Sequence, residues 1–260
     1  MCRSLHQQWS LPGAKDGGWL VLEALPPGPP PENWTARTYS RAIAELAVVH
    51  DRFWELAEDL AAFPWLGRPL TTDYEVYIMA AAKAFERLVF ENKLTQIISD
   101  PSQISALSQL ISQADVSVSA LRHEPQTLLH GDYWPGNISA ANPDAHVIFD
   151  WQLVGIGPGI NDLASFITKN QWWFGTLPLE PHELVEKYRN FVAERTNHSW
   201  TDDEWDRLWD YALMWNFTTE WLNLLAASPS ALLQTRRADI EVIWLQPVLA
   251  AIERQLAISG

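Results

Sequence analysis

The segment LLHGDYWPGN, residues 128–137, places a carboxylate, Asp132, five positions before an amide, Asn137. A second carboxylate, Asp150, follows in VIFDWQ. Carboxylate and amide oxygens are hard donors, suited to a Mg²⁺ ion that shares its coordination with substrate phosphates. Residues 138–140 and 146–149 read as two short strands joined by AANPDA, whose Asn-Pro-Asp signals a turn. Asn137 would enter the first strand and Asp150 leave the second. In an antiparallel hairpin the two are therefore expected side by side at the open end, with Asp132 in the loop next to them.

The elements that must hold this segment are mostly helical. GGWLVLEAL at 17–25 follows the turn signal PGAKDGG, so Trp19 to Glu23 reads as a strand after a hairpin turn, ended by PPGPPP at 26–31. From Thr38 to Ala62 the residues Ile43, Leu46, Phe53, Trp54, Ala57 and Leu60 recur at helical spacing, with His50 on the same face as a core hydrogen-bonding residue. Further helices are expected over 72–99, 102–121, 181–196, 201–227 and 235–257. GIGPG at 155–159 follows a strand, but Pro158 and the absence of a helix opening directly on the glycines argue against a dinucleotide loop. It reads as a loop.

Composition narrows the function classes. A chain of 260 residues, 47% apolar, can bury a sizeable core. The formal charge of −14 and only five scattered Lys argue against holding a nucleic-acid backbone. One cysteine, Cys2, precludes an internal disulfide and any Cys-based zinc cluster, which fits a reducing cytoplasm. The first twenty residues carry no signal-peptide core, and IEVIWLQPVLAAI at 240–252 is too short and polar to span a bilayer. No nucleic-acid or membrane partner is expected, and a cytoplasmic location is.

HGDYWPGN, VIFDWQ and INDLASF together, in this order and spacing, resemble the catalytic core of the aminoglycoside phosphotransferase and choline kinase family, small-molecule kinases with a protein-kinase-like fold. WLVLEAL resembles the last N-lobe strand and hinge of that family, and AELAVVHDRFW the helix after it. The resemblance implies an α+β protein: residual N-lobe strands and hinge at 1–25, then a helical C-lobe at 26–260 with its catalytic segment at 127–167. It implies ATP-dependent transfer of a phosphoryl group to a hydroxyl of a small molecule, with ATP and Mg²⁺ as cofactors. Asp132 matches the catalytic Asp, and Asn137 and Asp150 the metal ligands. His130 and Asp162 match residues that brace the catalytic loop. Glu23 to Leu25 match the hinge that presents backbone groups to adenine.

Family members carry a phosphate-covering loop and a strand Lys ahead of the hinge. Here few residues precede it, and Lys15 lies in the Pro-Gly-rich turn. The resemblance thus extends to a kinase lacking most of the N-lobe, with a truncated, noncatalytic kinase-derived binding protein as the alternative. A metal-dependent phosphoesterase using His130, Asp132 and Asp150 is a further alternative from the residues alone. Beyond Asp162 the chain is rich in Trp, with QWWF at 171–174 and WDRLWDYALMWNFTTEWLNLL from 205. Core packing accounts for most of these. Trp209, Asp210 and Glu220 are the candidate substrate-pocket residues, able to suit a cationic amine.

Overall fold

The computed structural model describes residues 8–10, 18–20 and 23–256. The turn containing Lys15, and residues 21–22 of the expected hinge strand, lie outside them. Strands β1 (Gln8–Ser10) and β2 (Gly18–Leu20) pair antiparallel, with position 9 opposite position 19. Glu23 to Pro30 continue without regular structure, and Ser139 Oγ donates to the Pro26 carbonyl at 3.3 Å.

The long helices expected at 38–62 and 72–99 are each broken. Helix α1 (Ala36–Arg52) opens on a capping box, with Thr35 Oγ1 accepting from the Thr38 backbone N–H. It ends before Glu55, whose φ of 57° no helix can carry, and the short α2 (Ala57–Leu60) follows. Helix α3 (Tyr74–Phe90) stops at the left-handed Asn92, φ 52°, before the single turn α4 (Leu94–Ile97). Residues 101–123 form α5 (Pro101–Ser112), capped by Asp100, and α6 (Ala114–His123), with Gln113 between them.

Three two-stranded sheets are described, all antiparallel. Strand β3 (Thr127–Leu129) leads into the HGD segment, and β4 (Ile138–Ser139) with β5 (Val147–Ile148) makes the expected hairpin, slightly shorter than anticipated. Residues 155–157 of GIGPG are not a loop. They form β6 (Gly155–Gly157), which pairs with β3, Leu128 opposite Ile156. Gly155 also lies against Gly67, where a Cβ would come within 2.8 Å of the Gly67 carbonyl oxygen. That close approach is what glycine permits.

Helix α7 (Ile160–Phe174) was not among the expected segments. Its apolar stretch begins directly after the glycines, which hides its start, and Gly175 at φ 85° ends it. Helix α8 (Pro181–Thr196) matches its expected span, opened by Pro181 and closed by the left-handed Asn197. Helix α9 (Asp202–Asn216), capped by the Thr201–Glu204 box, runs through a π-helical turn (Phe217–Trp221) into α10 (Leu222–Ala227). The C-terminal helical stretch begins earlier than expected, with α11 (Ser230–Thr235) and α12 (Arg237–Ile240). A second π turn (Glu241–Leu245) then feeds α13 (Gln246–Gln255).

Two apolar cores result. One gathers Tyr39, Ile43, Leu46, Tyr133, Phe166 and Trp205. The other gathers Leu88, Trp172, Phe217, Trp221, Trp244 and Val248. Helices α7 and α9 contribute to both, so the HGD segment and α7 sit at the centre of the helical body.

Candidate active site

Asp132 lies in the turn between β3 and the hairpin, and both its carboxylate oxygens are engaged. Asn137 Nδ2 donates to Oδ2 at 2.8 Å and to the Asp132 carbonyl at 2.9 Å. Lys169 Nζ forms an ion pair with Oδ1. Because the amide nitrogen of Asn137 is spent on Asp132, its Oδ1 is left as the free acceptor, the atom a hard cation uses. Phe149 N–H donates to the Asn137 carbonyl at 3.0 Å, making Phe149 the cross-strand neighbour of Asn137. Asp150 is therefore displaced by one residue from the side-by-side position expected of it. It takes a left-handed conformation, φ 63° and ψ 58°, and is exposed. No side-chain hydrogen bond or ion pair engages it among the described residues. Asn137 Oδ1 and the Asp150 carboxylate are thus two unspent oxygen donors at the open end of the hairpin, of the hard type that suits Mg²⁺.

The loop carrying Asp132 is held from behind by Asp162, which is buried in the first turn of α7. Its Oδ2 accepts the His130 N–H at 2.7 Å and its Oδ1 the Gly131 N–H at 2.9 Å. His50 Nε2 adds a contact at 3.2 Å, while His50 Nδ1 meets the Tyr188 hydroxyl at 2.7 Å. Burial alone would raise the Asp162 carboxyl, but the His50 hydrogen bond and the fields of His50 and His130 outweigh it and hold it below its ordinary value. His130 Nε2 donates to the Phe149 carbonyl at 2.9 Å, and its Nδ1 accepts the Asp132 N–H at 3.2 Å. The imidazole therefore ties the far end of the hairpin, at Phe149, to the Asp132 turn. Gly131 has φ 79°, and a Cβ there would meet the Leu153 carbonyl oxygen at 2.0 Å. Only glycine fits.

Lys169 is the residue the sequence reading missed. It is buried on α7 and pairs with Glu220 Oε1 at 2.7 Å as well as with Asp132. Burial would lower its ammonium, but Glu220 and Asp132 prevail, so it stays charged well into the alkaline range. Burial raises the Glu220 carboxyl despite the Lys169 contact. Glu220 Oε2 accepts from Asn216 Nδ2 at 3.2 Å. A signal for Lys169 was present: Asn161, Ser165 and Lys169 recur every four residues as a polar stripe along one face of the helix.

Of the three pocket residues expected beyond Asp162, only Glu220 lines a cavity near Asp132. That cavity, about 230 Å³, is walled by Tyr77 and Trp215 and floored by α7. Asp210 is buried and committed elsewhere, taking Arg254 Nε and Gln255 Nε2, each at 2.9 Å, and so tying α9 to α13. Trp209 packs against the first core. A second hollow, about 470 Å³, is lined by Leu25, Pro26, Pro135, Ile138, Phe149 and Phe174. Leu25 thus faces the catalytic hairpin, while Glu23 is exposed and does not line this hollow.

Residues 5–197 match the sequence model of the phosphotransferase enzyme family, APH. The chain belongs to that family. Its α+β, protein-kinase-like class accords with the helical body and small antiparallel sheets. Among solved structures it is similar to the AMP-bound complex of the spectinomycin phosphotransferase APH(9)-Ia, at 14% identity and TM-score 0.49, covering 91% of this chain and 71% of that one. It is also similar to a choline/ethanolamine kinase family protein from Mesorhizobium loti, at 14% identity and TM-score 0.45, covering 96% and 77%. No curated protein sequence matches it. No helix among the described residues is long and apolar enough to cross a membrane.

Proposed function

We propose that this member of the phosphotransferase family transfers the γ-phosphoryl group of ATP to a hydroxyl of a small molecule. The observation that carries the proposal is the Asp132–Asn137 pair on a turn braced by Asp162, within a chain that matches the family. The acceptor oxygen attacks the γ-phosphorus, the bond to the β–γ bridging oxygen breaks, ADP leaves, and Asp132 receives the hydroxyl proton. Asn137 Oδ1 and Asp150 would hold Mg²⁺, which when bound offsets the charge of the phosphates. Asn137 Nδ2 and Lys169 keep the Asp132 carboxylate turned toward the acceptor. The 470 Å³ hollow beside Leu25 is in the size range of a nucleotide-base pocket. A nucleotide there would place its phosphates toward Asn137. N-lobe strands and hinge at 1–25 and a helical C-lobe at 26–260, in a cytoplasmic protein, complete this reading.

A phosphoesterase built on His130, Asp132 and Asp150 is the weaker reading. His130 uses both ring nitrogens within the protein, and no group of three His, Cys, Asp or Glu converges among the described residues. The deciding experiment is ADP release from Mg-ATP across a panel of hydroxylated acceptors, alongside calorimetric titration of Mg-ATP. Acceptor-dependent ADP release supports phosphotransfer. Tight Mg-ATP binding without release under any acceptor supports a binding protein instead, and hydrolysis of phosphate esters without ATP supports the phosphoesterase.

A further inference from the structure

Which acceptor the cavity near Asp132 takes can be read from the groups in it that lack partners. Its carboxylates are already served. Asp162 receives two backbone N–H groups and Glu220 receives Lys169 and Asn216, while Asp132, which lies outside the lining and reaches it through Lys169, receives Lys169 and Asn137. The groups left without partners are neutral. Both side-chain atoms of Asn161 and the Ser165 hydroxyl are buried, line the cavity and make no hydrogen bond within the described protein. Ser165 is 5% exposed. A buried polar group without a partner is costly, so a ligand that supplies one gains affinity there. Lys169 spends two of its three ammonium N–H groups on Asp132 and Glu220, which leaves one to donate. Tyr77 and Trp215, their rings inclined at 59°, add an apolar wall.

Charge and size point the same way. The cavity has its own cation, and a second ammonium would sit beside Lys169 with no unserved carboxylate oxygen to receive it. At about 230 Å³ it lies below the range typical of drug-sized ligands, which favours a single-ring or open-chain acceptor over a multi-ring aminoglycoside. We infer that the acceptor is a small, uncharged polyhydroxylated molecule of single-ring or open-chain size, recognised by Asn161, Ser165 and the free N–H of Lys169. This rests on the phosphotransfer reading for the reaction, although not for the binding. It replaces the cationic amine that Trp209, Asp210 and Glu220 had suggested.

Matched probes differing only in charge test it. Binding of D-glucose and D-glucosamine, of glycerol and its amino analogue serinol, and of myo-inositol, choline and spectinomycin is measured by calorimetry on the full chain without nucleotide. Neutral members are expected to bind at least tenfold tighter than their amine counterparts. Ser165→Ala is expected to weaken the neutral probes about tenfold, the effect of one lost hydrogen bond, with Mg-ATP affinity unchanged. Lys169→Met is expected to abolish the preference, since Glu220 is then free to take an ammonium. Tighter binding of any amine than its neutral partner, or no binding by the neutral probes, overturns the inference. A neutral probe that binds but accepts no phosphoryl group from Mg-ATP refutes the proposed reaction while leaving the binding assignment intact. Preferential phosphorylation of an amine does the reverse.

Discussion

Asp132 has no idle oxygen: Asn137 holds one and Lys169 the other. Replacing it by Asn removes the proton acceptor and leaves Lys169 facing an amide. Acceptor-dependent ADP release is expected to fall by about 10²- to 10⁴-fold, the usual worth of a positioned base, with Mg-ATP affinity retained. Asp162 works through backbone instead. An Asn there offers one acceptor to two N–H donors, and the loss is expected to be about 3 kcal/mol in urea unfolding. Its pH dependence has a definite sign. The folded carboxyl is depressed, so its contribution is fully present above the ordinary aspartate value of 3.8 and disappears as pH falls through the lower folded value. The stability gap between wild type and Asp162→Asn should therefore be flat at neutral pH and narrow below 3.8. HGDYWPGN made Asp132 and Asn137 legible from sequence, and INDLASF made Asp162 so. Lys169, Asn161 and Ser165 were not, because they enter from a helix whose start is masked by glycines and a proline.

Among the elements, α7 meets β6 through Gly159, where a Cβ would lie 2.2 Å from the Tyr188 hydroxyl oxygen and 2.4 Å from His50 Nδ1. Gly159→Ala must push apart the pair that supports Asp162, and should cost about 1–3 kcal/mol in thermal or urea unfolding. The register of β4 on β5 explains a subtler miss. Alternation alone put Asn137 and Asp150 abreast, whereas the pairing of Ile138 with Ile148 sets Asp150 one residue beyond, in a left-handed turn that strand patterns do not report. The broken helices have the same origin. Glu55 and Asn92 adopt positive φ in stretches whose apolar spacing continues across the break. Arg254→Ala would leave the buried Asp210 with Gln255 alone between α9 and α13, an expected loss of about 2 kcal/mol.

For the whole molecule, the Trp content acquires a structural reason. Trp221 and Trp244 stack at 4.1 Å between centroids, Trp172 lies 4.6 Å from Trp244, and the Arg236 guanidinium covers Trp172 at 3.9 Å. The sequence reading assigned most Trp to packing, and this cluster is where that holds. Since α7 and α9 run through both cores, the described body should unfold in one step. Trp221→Ala, a large cavity in the second core, is expected to cost about 3–5 kcal/mol. It should move circular dichroism and Trp fluorescence midpoints together. Separate midpoints would show two independently folding units.

The π turn that carries Glu220 has an evolutionary corollary. A π turn is an α-helix with one residue too many, and removing that residue restores the regular pitch. Deleting Thr219 would rotate Glu220 by about 100° relative to α9, off Lys169, and would unseat Trp221 from Trp244. Loss of the codon for residue 219 is therefore expected to undo the Glu220–Lys169 pair by a change of helix pitch, which no single substitution reproduces.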